Sequence, residues 1–500
     1  SINYATGDIV FSYTEDKETG DKVINGATVQ HSVWGGPYVQ RKTASLFARL
    51  SYNFDERYMF QATVRRDGSS RFGENNKYGI FPSFSLGWNI TNESFMDSRP
   101  EWLNSMKIRG SWGLNGNDRI GEFGYTSLTS MGNNVLLGNN AIKYNGSKAQ
   151  RLSNPDLKWE ESEQTDIAVD LMLFDGAITA TIEWYNKRTN DMLITKPIPS
   201  YAGENPPYGN GGDMENKGWE FELGYKWNIA DANFSIKGNA AYVENTLKDL
   251  GNADGYQDYG GIQGISGGGM RAQNGLPYPF FFGYKTNGVF QNAAEVAAYT
   301  NAEGNMIMPN AVAGDVRFVD VNGDGKIDPE DRTNIGNGTP KWTFGLAFNA
   351  DWKGIDFSLN LHGVGDAKIF DATYRTDVFS GNFPKWMLGR WTGEGTSNKL
   401  PRLGGNTENW YMSDIYIHDG AFLRLKNIQL GYTLPKQITE VAGIKKFRVF
   451  VAAENLATWT KYHGFDPEIS SGDGGSQSLG VDRGVYPQAR TLTVGANITF

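Results

Sequence analysis

The 500-residue chain contains no cysteine. That removes disulfide frameworks, thiolate metal sites and cysteine nucleophiles together, and it leaves the redox compartment open. Histidine is scarce: His31, His362, His418 and His463 are the four. They show no metal-ligand spacing, so a histidine-based zinc site is not expected. Positive charge is in deficit too. The formal net charge is −9, which disfavours a nucleic-acid partner, whose phosphates demand a basic surface. No apolar run approaches the roughly 18 residues of a membrane-spanning helix, and mean hydropathy is −0.48. A helical membrane protein is thereby excluded. A membrane barrel is not, because its strands alternate and average out as polar. The opening "SINYATGDIVFSYTED" has neither the basic start nor the apolar stretch of a signal peptide, so the expectation is a processed chain or part of a longer one.

Glycine and aromatic residues are plentiful: 62 Gly, 28 Phe, 24 Tyr and 14 Trp. The apolar residues alternate. In the terminal "RTLTVGANITF", Leu492, Val494, Ala496, Ile498 and Phe500 interleave with Thr491, Thr493, Gly495, Asn497 and Thr499. Strict period two marks a strand with one apolar and one polar face. Ala44 to Phe54, Phe84 to Ile90, Ile167 to Leu173, Ile178 to Trp184, Trp219 to Trp227, Trp342 to Ala350, Phe357 to Leu361 and Phe447 to Ala453 repeat the pattern. Near 427 the parity slips: Leu423 and Leu425 are odd, Ile428, Leu430, Tyr432 and Leu434 even. One extra residue, assigned to Asn427, predicts a bulge.

About thirteen such segments suit the roughly 9–11 residues that a tilted strand needs to cross a bilayer. Their connections alternate in length. The links "NFDER" (53–57), "LFDGA" (173–177), "NIADAN" (228–233) and "DWKGID" (351–356) are short. Links near 91–105 and 435–446 are modest, with room for a helical turn. Between them fall long polar loops near 66–78, 116–162, 187–213, 246–340, 366–418 and 456–489. Short turns on one side and long loops on the other is the plan of an outer-membrane barrel. Soluble sandwiches and propellers alternate as well. Against them, Glu220, Glu222 and Lys226 fall on the face that a soluble fold would bury. In addition, Tyr38, Tyr52, Tyr58, Trp88, Trp112, Trp227, Trp342 and Trp352 stand near strand ends, as interface girdles require. The predicted fold is an all-β transmembrane antiparallel barrel wall of about thirteen strands. Residues 1–38 fall on the long-loop side and 39–500 form the wall.

Several stretches carry a family resemblance: "RDGSSRFG" followed by "GIFPSFSLGW", "WLNSMKIRGSWGLNGND", "NPDLKWEESEQTDIAVDL", "NKGWEFEL", "GDVRFVDVNGDGKID" and "FLRLKNIQLGYTLP". Their order and spacing over 40–500 resemble the C-terminal half of the SusC/RagA family of TonB-dependent outer-membrane transporters of Bacteroidetes. The resemblance implies a 22-stranded barrel, an N-terminal plug, a SusD-like surface lipoprotein and drive from the TonB complex. Plug, TonB box and early strands are missing from this sequence, about nine strands by that count. The implied activity is import of bulky nutrients, oligosaccharides or peptides, at the outer membrane. The alternative is a surface adhesin or an accessory barrel of an envelope complex.

The sharpest local motif is "DVNGDGKIDPED" (320–331). Asp320, Asn322 and Asp324 match positions 1, 3 and 5 of an EF-hand calcium loop, and Gly325 the sharp turn at 6. Lys326 would offer its carbonyl at 7, with Asp328 and Asp331 at 9 and 12. Hard oxygen ligands on a flexible loop suit Ca²⁺ in a structural role; an ion-free Gly/Asp-rich turn is the plainer alternative. No catalytic site is expected. Glu160 with Glu161 flank a strand start, and Glu220 with Glu222 share one strand face, whereas glycoside hydrolysis needs carboxyls opposed across a substrate. "GGIQGISGGG" (260–269) lacks the Lys-Ser/Thr ending of a phosphate loop. Trp34, Tyr256, Tyr259, Phe280, Phe281, Phe282 and Trp410 are candidates either for stacking on sugars or for loop cores. Phe500 ends the chain on an alternating strand, and the family resemblance implies that the barrel-assembly machinery reads it.

Overall fold

Thirteen of the alternating segments pair, each with the next, into one antiparallel sheet. In chain order they are β1 (Thr43–Phe54), β2 (Tyr58–Ser69), β3 (Tyr78–Asn89), β4 (Leu103–Asn117) and β5 (Glu160–Leu173). Then follow β6 (Ile178–Asn190), β7 (Asp213–Ile229), β8 (Ala232–Asp249) and β9 (Trp342–Trp352). The last four are β10 (Ile355–Gly365), β11 (Phe422–Thr433), β12 (Lys446–Thr460) and β13 (Thr491–Thr499). The computed structural model describes 41–500 except 128, 132–134, 138–141, 145, 150, 197, 200, 202, 263, 375–381, 405–406 and 470–476, together with the short paired strands Tyr13–Glu15 and Lys22–Ile24. The remainder of 1–38, including His31, Trp34 and Tyr38, lies outside the described residues. No helix among those described is long and apolar enough to cross a membrane, which says nothing of crossing by strands.

The short links are tight hairpins. Between β9 and β10, Lys353 and Gly354 take φ of 46° and 88°, the positive pair that a two-residue turn needs to match strand twist. The two modest links hold helical turns as expected: 3-10 turns at Ile90–Asn92 and Ser94–Met96, and a helix at Lys436–Thr439. On the opposite side the first long loop is shorter than expected. β2 runs on to Ser69, paired with Thr43, because backbone pairing outlasts the apolar alternation. The parity slip near 427 is a bulge, but the extra residue is Lys426 rather than Asn427. Asn427 pairs with Asn360 and Glu454, and Leu425 with Leu361 and Ala457, so Lys426 is extra against β10, whereas on the β12 side it stands against two residues, Asn455 and Leu456.

The other five loops are long, and the last three build hydrophobic cores of their own. A four-stranded sheet joins Tyr256–Asp258, Gly269–Gln273, Phe280–Tyr284 and Arg332–Gly336. A three-stranded one joins Ile417–Asp419, Lys368–Asp371 and Val481–Asp482, the last two parallel. Phe281, Phe370, Met412 and Tyr416, from two different loops, pack in one cluster with Val481 from a third. Phe290, Val316 and Phe318 pack in a second. The loops thus form a folded cap. The sheet beneath stays open: β1 pairs with β2 alone and β13 with β12 alone among the described residues.

Candidate functional site: a charged wall beneath a folded cap

Each wall strand shows two chemistries, because its side chains alternate between faces. One face is apolar and exposed: Leu46, Leu50, Leu86, Leu223, Val494 and Phe500 are all well over half exposed. Cross-strand register sets aromatic rings in rows on this face. Trp184 stands opposite Trp219, Trp219 opposite Tyr242 and Tyr242 opposite Trp342, near the long loops. Near the short turns Tyr225 and Trp227 stack at 4.9 Å, and Trp227 and Phe234 at 5.3 Å. Trp219 and Trp227 lie eight positions apart on β7. At ~3.3 Å per residue and a tilt near 40°, that is about 20 Å of height, close to the ~25 Å apolar band of a membrane barrel.

The polar tips of these rings reach carboxylates at both rims. Trp112 Nε1 donates to Glu163 at 2.7 Å on the long-loop side. Tyr58 Oη and Trp88 Nε1 both donate to Glu93 beside the short turns. The Tyr58 hydroxyl, then Trp88, hold the Glu93 carboxyl below its ordinary pKa. The girdle residues read from the sequence therefore fall on two levels: Trp112 and Trp342 above, Tyr52, Tyr58, Trp88, Trp227 and Trp352 below.

The opposite face is charged. Arg109 of β4 bridges Asp170 of β5 at 3.0 Å and Glu183 of β6 at 2.6 Å. Lys237 of β8 meets Glu222 of β7 at 2.8 Å. Arg109, Glu183, Glu220, Glu222, Asn239 and His362 help line a hollow of about 660 Å³ on this face. Glu222 is thus ion-paired along the wall, and Glu220, two residues away on the same strand face, lines the same hollow rather than opposing Glu222 across it.

Wall and cap are joined by a buried charge. Arg424 of β11 is 2% exposed. It donates to Asp466 at 2.5 Å and Glu468 at 2.7 Å, both in the last loop, and to Thr458 Oγ1. Lys426 of the bulge also reaches Glu468, at 2.9 Å. Burial would raise the Asp466 carboxyl. The amides of Gln488 and Glu468, with Arg424, outweigh it and hold its pKa below the ordinary range. Parity predicted the bulge, but nothing in the sequence pointed to its docking role.

Within the second loop cluster, Val316–Phe318 pairs with Thr286–Val289, and Arg332–Gly336 pairs with Phe280–Tyr284. Residues 320–331 are clipped between these strands. Asp320 accepts from the amides of Gly323, Asp324 and Gly325, and Asn322 from Asp324. Asp331 is fully buried and accepts from Val321, Asn322 and Asp328. Gly325 turns at φ 86°. Carboxylate oxygens of Asp324, Asp328 and Glu330 lie within 4.8 Å of one another, and Glu330 was not in the sequence-based set. Lys326 Nζ reaches Asp328 at 2.5 Å and Asp324 at 3.3 Å, so its ammonium, not only its carbonyl, faces the cluster. Of the aromatic candidates, Phe280, Phe281 and Phe282 are buried as cap core, and Tyr259 and Trp410 pack against it. Tyr256 is exposed beneath the Arg271 guanidinium, 4.4 Å away.

The chain matches the TonB dependent receptor-like β-barrel family model over residues 3–456. The chain belongs to the TonB-dependent receptor β-barrel family. Among its relatives, TonB-dependent receptor P26 of Formosa agariphila is 32% identical over 98% of this chain and 49% of its own length. SusC of Bacteroides thetaiotaomicron is 30% identical over 93% of this chain and 44% of its own. The RagAB peptide transporter structure superposes with a TM-score of 0.75, at 26% identity, over 92% of this chain and 48% of that one. This SusC/RagA-type chain thus spans about half the length of the curated relatives it matches. Such receptor barrels sit in the outer membrane, so the apolar face of the wall meets lipid and the charged face lines the lumen.

Proposed function

We propose that this chain is the lumen wall and external cap of an importer that moves bulky nutrients, oligosaccharides or peptides, across the outer membrane. A SusD-like lipoprotein would act as the surface partner and the TonB complex as the drive. The carrying observation is the charged wall facing inward beneath a cap anchored to it through Arg424. A bulky cargo needs a wide wet lumen and an external surface large enough to capture it, and these two regions supply them. The open edges at β1 and β13 would be closed by about nine further strands, bringing the wall to the roughly 22 of a plugged transporter barrel. Copurification of the full-length receptor from outer membranes, with mass spectrometry of companions and bound ligand, tests the reading. A co-isolated surface lipoprotein, with uptake that stops when TonB is deleted, is the expected result. Capture of ligand at the surface with TonB-independent retention and no uptake would sink it.

Calcium at residues 320–331 is part of this proposal. The donor set is hard oxygen throughout and preturned, as Ca²⁺ requires, and the ion would take the place of the Lys326 ammonium between Asp324 and Asp328. Asp320, Asn322, Asp324, Asp328, Asp331 and the Lys326 carbonyl would hold it, with Glu330 adjoining. Calorimetric titration should show one saturable calcium site; no heat at millimolar Ca²⁺ removes the claim. Phe500 belongs to the same reading as an assembly signal. Phe500→Ala should lower the yield of membrane-inserted receptor, and an unchanged yield would leave it as a lipid-facing ring.

A further inference from the structure

Two of the four histidines, which no spacing linked, meet in the cap. His418 lies on the short strand Ile417–Asp419, paired with Lys368–Asp371 so that Ile369 stands opposite His418. Asp371 is two residues beyond Ile369 and so projects from the same face of the strand. His463 arrives from the last loop, three residues after β12 ends. Three chain segments thus deliver two imidazoles and one carboxylate to a single point.

The geometry there is convergent. His463 Nε2 lies 3.0 Å from Asp371 Oδ2, and His418 Nε2 lies 4.0 Å from the same oxygen. The two imidazole rings meet edge to face at 4.4 Å. One ligand atom from each residue falls within 4.8 Å of the others. Ligand atoms around a tetrahedral zinc, with bonds of about 2.0–2.1 Å, sit about 3.3 Å apart, and the observed 3.0 and 4.0 Å bracket that spacing.

A second observation points to a missing partner. His418 Nε2 is buried, yet has no hydrogen-bond partner among the described residues. A buried imidazole nitrogen normally finds one. Asp371 is 1% exposed, and its other oxygen is already fixed by the Thr373 amide and hydroxyl at 3.0 and 2.6 Å. Such outer partners orient metal ligands. His463 remains about a third exposed, which leaves an entry path.

We infer that Asp371, His418 and His463 form a binding site for a divalent borderline cation, Zn²⁺ in particular, that fastens the last loop to the neighbouring cap sheet. Two imidazoles with one carboxylate suit zinc and other borderline cations better than the hard cations that the acidic loop at 320–331 would take. As a ligand through Nε2, His463 would carry its remaining ring proton on Nδ1. Three protein ligands leave the fourth position to water.

The test uses the full-length receptor in detergent, stripped with chelator, and titrated with ZnCl₂ in saturating Ca²⁺ so that the acidic loop is occupied. The expected result is one zinc per chain, with Asp371→Asn weakening it at least about tenfold and the His418→Gln/His463→Gln pair abolishing it. Co²⁺ in place of zinc should give the visible absorption of a low-coordinate site, absent from the double variant. Retained heat-modifiable migration on gels shows that each variant still folds. Wild-type receptor that binds no zinc, or a folded double variant that binds it as well as wild type, overturns the inference.

Discussion

The wall and the cap solve the same burial problem in opposite directions. On the wall, Leu46, Leu223 and Val494 point outward and are 73%, 58% and 84% exposed to what is here a lipid face, while Arg109, Glu183 and Lys237 point in. In the cap, Phe280, Phe281 and Phe290 are fully buried, as in a soluble domain. One chain therefore obeys two solvents. The wall strands need no core because lipid covers the apolar face and water the charged one. The loops stand in water and must supply a core of their own. The junction is where both rules apply together, and there the structure places Arg424, an ion buried between strand and loop.

That contrast can be broken most sharply at the junction. Arg424→Ala leaves the buried Asp466 carboxylate without its cation, while Glu468 keeps Lys426, and should cost about 3–5 kcal/mol, the usual penalty for halving a buried pair. Equilibrium unfolding in detergent, read on the last loop by limited proteolysis, checks it. Loss of global barrel migration instead would show that cap and wall are not separable. Next in size, Leu223→Arg puts a charge at mid-height on the lipid face and should cost about 2–4 kcal/mol, measured by reversible folding into vesicles. A neutral outcome would mean that this face meets protein rather than lipid.

The Asp466 pKa makes the anchor pH-sensitive. Its folded value is depressed below the ordinary 3.8, so its contribution is complete above 3.8 and is lost as pH falls through the folded value. Protease protection around Asp466 and Gln488 should persist at pH 5 and disappear only in strong acid; loss already at pH 5 would contradict this sign. The smallest effect belongs to Glu222→Ala in the lumen. Its carboxylate is 44% exposed against Lys237, and such screened pairs contribute about 0–1 kcal/mol. Stability should hardly move, by less than about 1 kcal/mol in reversible folding into vesicles.

The wall was legible in the sequence because period-two alternation is a local property. Leu492 to Phe500 state which face is apolar without reference to any other strand, and ten of the thirteen strands were placed in this way, with β2, β4 and β8 only counted. The bulge was half legible. Parity reveals that a residue is extra, but Leu425 through Ile428 do not say which, and pairing with Asn360 and Glu454 was needed to single out Lys426. The cap was not legible. Phe280–Tyr284 is buried at every position, so it carries no alternation to read. The acidic motif at 320–331 was found because its residues are contiguous, whereas Asp371, His418 and His463 are brought together only by pairing between loops.

The sequence by itself determined what can be decided by neighbours along the chain. That covers the strand pattern, the side of each connection, the two-faced wall and the family, since backbone geometry turns a period of two directly into opposite faces. Only the tertiary structure decided which loops share a core, where Arg424 is buried and which histidines meet. Those contacts join residues tens to hundreds of positions apart, and their energy comes from burial and ion pairing that no local stretch contains.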